Sequence, residues 1–386
     1  MTYGVHGTVA EGFEEVREEF AAHLAGERHD PGAQLVVQLH GRRVVDLWGG
    51  EGIDGDSLTT LFSIAKGAAH LVVALLVQEG TLDLDREVAA YWPEFAAEGK
   101  DRLTLRELLE HRAGVVGDPE RAFTVEELAD DRLIAARLAG LKPLWEPGTA
   151  YGYHAFVIGA LTGEVVRRAT GRSLHELYEE RIRAPHGLDF HLGLPAALEP
   201  RRVDVQPLLP TPAEEALLAE RATAPDSIRG VAFQQHGPEP VDLVAFANHP
   251  RVRALGPASS GGVGNARGVA GMYAAAISTV GGRAPLLTRE TAALFGGLRT
   301  PGGPDLVTGT EDHFGLGFEY LAGRYPFLGE DSFGHSGATG SLGFADPASG
   351  VAYAYTRRRF AFPSGYGEAP ENRRLAESVL RAAARL

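Results

Sequence analysis

Ser63 and Lys66, in Leu61-Phe62-Ser63-Ile64-Ala65-Lys66-Gly67, stand three residues apart, a spacing that on a helix puts both side chains on one face within hydrogen-bonding reach. A serine hydroxyl is a poor nucleophile by itself. An amine can take its proton if burial lowers the amine's pKa from ~10.4 toward neutrality, and a helix N-terminus favours the developing negative charge. Phe62, Ile64, Ala65 and Ala68 supply apolar surroundings. A Ser cap followed by a surface Lys has the same spelling. The wider composition favours the chemical reading: Lys66, Lys100 and Lys142 are the three lysines, and the remaining 34 of the 37 basic residues are arginine. Arginine stays protonated, whereas a buried lysine can serve as a base.

Two further segments carry candidate groups. In Trp145-Glu146-Pro147-Gly148-Thr149-Ala150-Tyr151-Gly152-Tyr153-His154-Ala155, a turn presents two tyrosines ahead of an apolar helix. Tyrosines there commonly pack, but a phenol near Lys66, held as phenolate by the cationic amine, would relay protons between nucleophile and leaving group. In Phe333-Gly334-His335-Ser336-Gly337-Ala338-Thr339-Gly340, small residues after His335 let a strand edge pass close to a bound acyl group and aim a backbone N–H at its oxygen. A glycine-rich hairpin turn with a surface histidine is the plainer alternative.

The elements that must position these groups can be read from periodicity. Phe13, Val16, Phe20 and Leu24 mark an amphipathic helix ending near Gly26, and residues 34–39 and 43–48 form a hairpin through His40, Gly41 and Arg42. The apolar stretch from Leu61 to Gly80 reads as a buried helix with Ser63 at its start. Residues 81–185 are mostly helical: Thr104 precedes LRELLEHR, Thr124 precedes VEELADDRLIAARLAG, and Ser173 with Glu176 spells a capping box. Residues 195–260 are proline-rich and poorly periodic, as expected of long surface connections and a substrate lid. A helix near 266–280 precedes strand-like segments at 314–321, 340–345 and 350–356. Pro370 opens a final helix with Leu375, Val379 and Leu386 apolar. The pattern predicts an α/β (α+β) catalytic unit over 1–386, with a sheet subdomain from 1–80 and 265–386 and a helical subdomain at 81–264.

Composition excludes several classes. The 386 residues, 44% of them hydrophobic, suffice for a large core and argue against disorder. With no cysteine there is no disulfide, thiolate nucleophile or cysteine-ligated metal. A net charge of −14 argues against a nucleic-acid partner. The acidic N-terminal residues lack the pattern of an export signal, and the apolar run Ala68–Val77, with His70 inside it, is about half the ~20 residues of a membrane span, so a cytoplasmic location and no membrane partner are expected.

Taken in order, these three segments resemble the serine β-lactamase and penicillin-binding-protein superfamily, in particular its class C-like esterase branch, the family VIII carboxylesterases. The resemblance runs over nearly the whole chain and is supported by Val37–Gly50, Glu79–Asp85, Leu108–Gly114 and Gly261–Arg267. It implies a β-lactamase-like fold, an antiparallel sheet flanked by helices with the site between sheet and helical insertion. It further implies an acylated Ser63, Lys66 as its base and, from Pro-Gly-Thr-x-aromatic-x-Tyr, Tyr153 rather than Tyr151 as the catalytic phenol. His335-Ser336-Gly337 takes the place of the strand motif, and the N–H groups of Ser63 and Ala338 that of the oxyanion hole. Two departures bear on substrate. Ala155 stands where a lactamase has Asn, and His335, only partly charged near neutral pH, stands where it has Lys. Arg357, Arg358 and Arg359 follow the last strand; Arg358 is a candidate for restoring positive charge near the site, although most of the three are expected to be solvated.

The resemblance therefore implies a hydrolase of small carboxylic esters or amides that uses no metal or cofactor. The same acyl-enzyme could instead pass its acyl group to an amine or alcohol as a second substrate. β-Lactamase or D-amino-acid peptidase activity, or an inactive binding protein, fits less well. Among unrelated chemistries, Gly334-His335-Ser336-Gly337-Ala338 nearly spells a nucleophile elbow but is followed by strand-like sequence. His175-Glu176 lacks the second His of a zinc motif, and Gly262-Val263-Gly264 has Arg267 in place of the third dinucleotide-loop glycine.

Overall fold

The structure, a computed structural model, describes residues 4–311, 313–362 and 369–386. Strands from both ends of the chain form one antiparallel sheet: β1 (Val5–Val9), β2 (Ala33–Leu39), β3 (Arg42–Gly49), β7 (Glu319–Tyr320), β8 (Phe333–Ser336), β9 (Leu342–Asp346) and β10 (Val351–Arg357). Their order across the sheet is β1-β3-β2-β10-β9-β8-β7. A smaller sheet joins β4 (Thr59–Thr60), β5 (Phe190–His191) and β6 (Val263–Gly264) in the order β4-β6-β5.

The period-2 alternation of a strand decides what each face carries. On one face, Leu35, Val37, Leu342, Phe344, Val351, Tyr353 and Tyr355 pack against Phe13 at the start of the helix Glu14–Gly26, Val16 and Phe20 within it, and Leu375 and Val379 of the helix Glu371–Ala383. On the other, Val36, Ala345, Ala352 and Ala354 join the main core with the helices Ala65–Gln78 and Ala266–Ile277. Small residues on this second face let the helix come close. A Cβ on Gly343 would stand 2.5 Å from Val269 Cγ1.

The helix Ala65–Gln78 is buried from Ala65 to Leu76 and is entered through a single 3₁₀ turn, Phe62–Ile64. Around it, Thr104, Thr124 and Ser173 each cap a helix with a reciprocal Glu three residues on. Among the described residues no helix is long and apolar enough to cross a membrane.

The structure departs from the sequence expectations at five places. β1 was not foreseen, because Gly7 interrupts its short alternation. Gly7 adopts φ +97°, and a Cβ there would lie 1.9 Å from Asp46 O. The helix expected after Thr124 is two, Val125–Leu128 and Asp131–Ala139, since Asp130 accepts from the N–H groups of Arg132 and Leu133 and starts a second helix. Segment 195–260 holds short helices, including Pro212–Glu220, Ile228–Ala232, Leu243–Asn248 and Pro250–Leu255. The strand expected over 314–321 shrinks to Glu319–Tyr320, because Leu316 and Gly317 donate their N–H groups to Phe295 O and Leu109 O instead of to a sheet partner. Leu386 lies beyond the last helix and is exposed.

Candidate active site

The chain leaves β4, passes Phe62 in the left-handed region at φ +50°, and sets Ser63 on the 3₁₀ turn ahead of the buried helix. A bulky residue in that conformation carries strain of about 1–3 kcal/mol, which the surrounding packing must hold. Lys66 follows within the helix and is fully buried. Its Nζ is 3.0 Å from Ser63 Oγ and donates to the carbonyl oxygens of Ala155 and Ser259, each at 2.7 Å. Burial holds the amine's pKa well below the usual lysine range, and the negative charge of Glu319 offsets only part of this. A neutral amine has two hydrogens and one lone pair. With both hydrogens given to carbonyls, the lone pair is left facing Ser63 Oγ.

Tyr153 closes the other side of the nucleophile, its hydroxyl donating to Ser63 Oγ at 2.8 Å. Burial raises the phenol's pKa above its ordinary value, which favours the protonated phenol over the phenolate reading. The turn that carries it is held by His111, whose carbonyl accepts from Gly152 N–H at 3.0 Å and whose Nδ1 accepts from His154 N–H at 3.1 Å. The phenol ring lies parallel to Phe314 at 5.7 Å.

The end of β8 forms the third wall. Gly337 passes so near the chain leading to Ser63 that a Cβ would stand 2.6 Å from Leu61 O. Gly337 N–H is committed to Ser341 O at 2.8 Å, so Ala338 supplies the next N–H along this edge. One pocket collects Ser63, Tyr153, Ser336, Gly337 and Ala338 with Phe233, Thr308, Phe314, Glu319 and Arg324.

The beta-lactamase family profile matches residues 17–378. The chain belongs to the beta-lactamase family. Esterase/beta-lactamase LipL from Mycobacterium tuberculosis (strain ATCC 25618 / H37Rv) is 32% identical over 377 residues, covering 93% of this chain and 84% of LipL. EstA from Arthrobacter nitroguajacolicus Rue61a superposes with a TM-score of 0.88 at 40% identity, over 98% of each chain. A family VIII carboxylesterase structure gives a TM-score of 0.83 at 33% identity, over 98% of this chain and all of the other. This chain has the β-lactamase-like fold and is a serine hydrolase of that family.

In this beta-lactamase family member three sequence candidates take other roles. His335 is buried, its Nδ1 lies 2.8 Å from Ser336 O, and its ring is not among the pocket-lining groups. Burial lowers its pKa to about 4, so it is neutral near pH 7 and offers no positive charge to a substrate. Tyr151 donates to Gly303 O at 2.7 Å and lies 3.2 Å from His313 Nδ1, away from Ser63. Arg358 turns to Glu51 O and Asp30, and of the three arginines expected to be mostly solvated, Arg357 is buried in ion pairs with Glu27 and Glu371. Among the described residues His23, Glu27 and Glu371 are the side chains close enough to share a cation, but Arg357 Nη1 already pairs both carboxylates, at 2.9 and 2.6 Å.

Sequence reasoning missed Glu319, Arg324, Phe314, Thr308 and Phe233. Glu319 did leave a trace, as a lone acid inside the otherwise apolar FGLGFEYLAG, a segment read only as a strand. Phe233 comes from the 195–260 segment expected to cover the site.

Proposed function

We propose that this chain is a carboxylesterase that cleaves small carboxylic esters through an acyl-Ser63 intermediate. The observation that carries this reading is that Ser63 Oγ stands between Tyr153 Oη at 2.8 Å and Lys66 Nζ at 3.0 Å, with the amine's other contacts fixed on two carbonyls. Ser63 Oγ attacks the ester carbonyl carbon as its proton passes to Lys66 Nζ. The oxyanion forms against the N–H groups of Ser63 and Ala338. Tyr153 gives its proton to the departing alkoxide and is reprotonated from the Lys66 ammonium. Water then attacks the acyl-enzyme by the reverse proton path and frees Ser63 with the carboxylic acid.

Three features support an ester over a charged β-lactam. Ala155 offers no side-chain amide to the substrate, His335 is neutral, and the pocket walls Phe233 and Phe314 are aromatic. The name of the family VIII carboxylesterase agrees with this substrate class, and that of LipL names both an esterase and a beta-lactamase. Ser63→Ala is expected to abolish hydrolysis of p-nitrophenyl butyrate while circular dichroism and the melting temperature stay those of the native protein. Retained turnover in this variant would refute the assignment. Adding an amine or alcohol acceptor should leave butyrate as the main product; a predominant amide or transferred ester would assign the chain to acyl transfer.

A further inference from the structure

Among the described residues Glu319 is the acid that lines the pocket, and its contacts decide what it does to its neighbours. It opens β7 beside β8, in register with Gly334, and is 7% exposed. Ser336 Oγ donates to Oε1 at 2.6 Å and Ser336 N–H to Oε2 at 3.2 Å. Arg324 Nη1 lies 3.2 Å from Oε2, and His335 Nδ1 3.2 Å from Oε1. Burial alone would favour the protonated acid, but the Arg324 guanidinium and the two Ser336 hydrogen bonds outweigh it and hold the carboxyl below its usual range. Glu319 is therefore an anion at neutral pH.

The hydroxyl hydrogen of Ser336 is spent on that anion. What Ser336 presents to the pocket is lone pairs, with the carboxylate directly behind them. The guanidinium of Arg324 is drawn onto the same carboxylate, so the pair brings no net positive charge to the edge. An anionic group laid along Ser336–Ala338 would meet an acceptor oxygen backed by the carboxylate, and Arg324, already paired to that carboxylate, leaves no surplus positive charge to offset them.

We propose that Glu319 is a specificity-determining residue: by taking the Ser336 hydroxyl proton it makes the β8 edge an acceptor surface that admits uncharged esters and rejects esters bearing a carboxylate beside the cleaved bond. This rests on the acyl-Ser63 reading and adds to it a rule for the leaving group.

The test compares two substrates of matched shape, 3-butyryloxybenzamide and 3-butyryloxybenzoate, by their kcat/KM in the intact enzyme. The native enzyme is expected to favour the amide by about tenfold or more, one decade corresponding to 1.4 kcal/mol. Glu319→Gln should bring the ratio to within about threefold, mainly by improving the benzoate. Arg324→Gln, which strips the carboxylate of its counter-charge, should widen it. A native ratio near one, a ratio unmoved in Glu319→Gln, or a preference for the benzoate that Arg324→Gln removes would overturn the proposal. Because the native ratio alone decides the first of these, a misfolded variant does not rescue the idea. Turnover of either substrate that survives in Ser63→Ala would instead overturn the underlying nucleophile assignment.

Discussion

Tyr151 and Tyr153 are two residues apart in one turn, yet the structure gives them unrelated work. Tyr153 Oη donates to Ser63 Oγ, whereas Tyr151 Oη is spent on Gly303 O and His313. Tyr153→Phe removes a proton carrier and is expected to lower kcat by about 10²–10⁴-fold. Tyr151→Phe should cost less than about tenfold, since its hydroxyl is bonded to Gly303 O and His313 rather than to Ser63 and structural hydrogen bonds contribute ~1 kcal/mol each. The reverse ranking, from steady-state kinetics on one ester, would exclude Tyr153 as the proton carrier. At this scale the sequence was legible where residue type and spacing alone made the case. Lys66 stood out because lysine is scarce, and of the other two, Lys100 clips the carbonyls of Ala97 and Leu141 while Lys142 is exposed. What stayed hidden was whatever depends on burial: the phenol's protonation, the neutrality of His335, and the turning of Glu319 toward Ser336 from a strand that pairs with β8 only in three dimensions.

Strand β8 is the element on which the site depends, because its end lies between the nucleophile's approach strand and the pocket. Its separation from β9 is set by glycine. A Cβ on Gly334 would stand 2.2 Å from Gly343 O and 2.6 Å from Phe344 Cβ, and no flexible side-chain end is there to yield. Gly334→Ala must push β8 off β9 and move the Ser336–Ala338 edge, so it is expected to cost about 1–3 kcal/mol in denaturant unfolding and to lower kcat as well. An unchanged midpoint with full activity would show that this close approach does not matter. Helices were the readable elements, since a capping residue and an apolar period announce Thr104, Thr124 and Ser173 locally. The short strands were not. β1 and β7 exist because β3 and β8 offer them partners, and nothing in five or two residues records that.

Over the molecule as a whole, the core around the site holds several neutral histidines. Burial lowers the pKa of His154 and His335 to about 4 and that of His70 to about 3, against 6.5 for an exposed ring. Each folded-state value lies below the unfolded one, so the stability these groups contribute is complete above pH ~6.5 and is lost as pH falls toward the folded values. The slope is about 1.4 kcal/mol per pH unit for each group, steep beside a typical total of 5–15 kcal/mol. The melting temperature is therefore expected to fall between pH 7 and pH 5. A level melting curve over that range would show that these rings protonate freely. The layered plan of sheet and helices was legible from the order of the elements, while the placing of the nucleophile against Lys66, Tyr153 and the β8 edge required the packed core. That placing is tested most directly by intact-mass and peptide mapping of protein quenched in acid during turnover of p-nitrophenyl butyrate. One butyryl group on Ser63, and none in Ser63→Ala, is the expected result; turnover with the label on another residue, or with no covalent adduct under any quench, would contradict it.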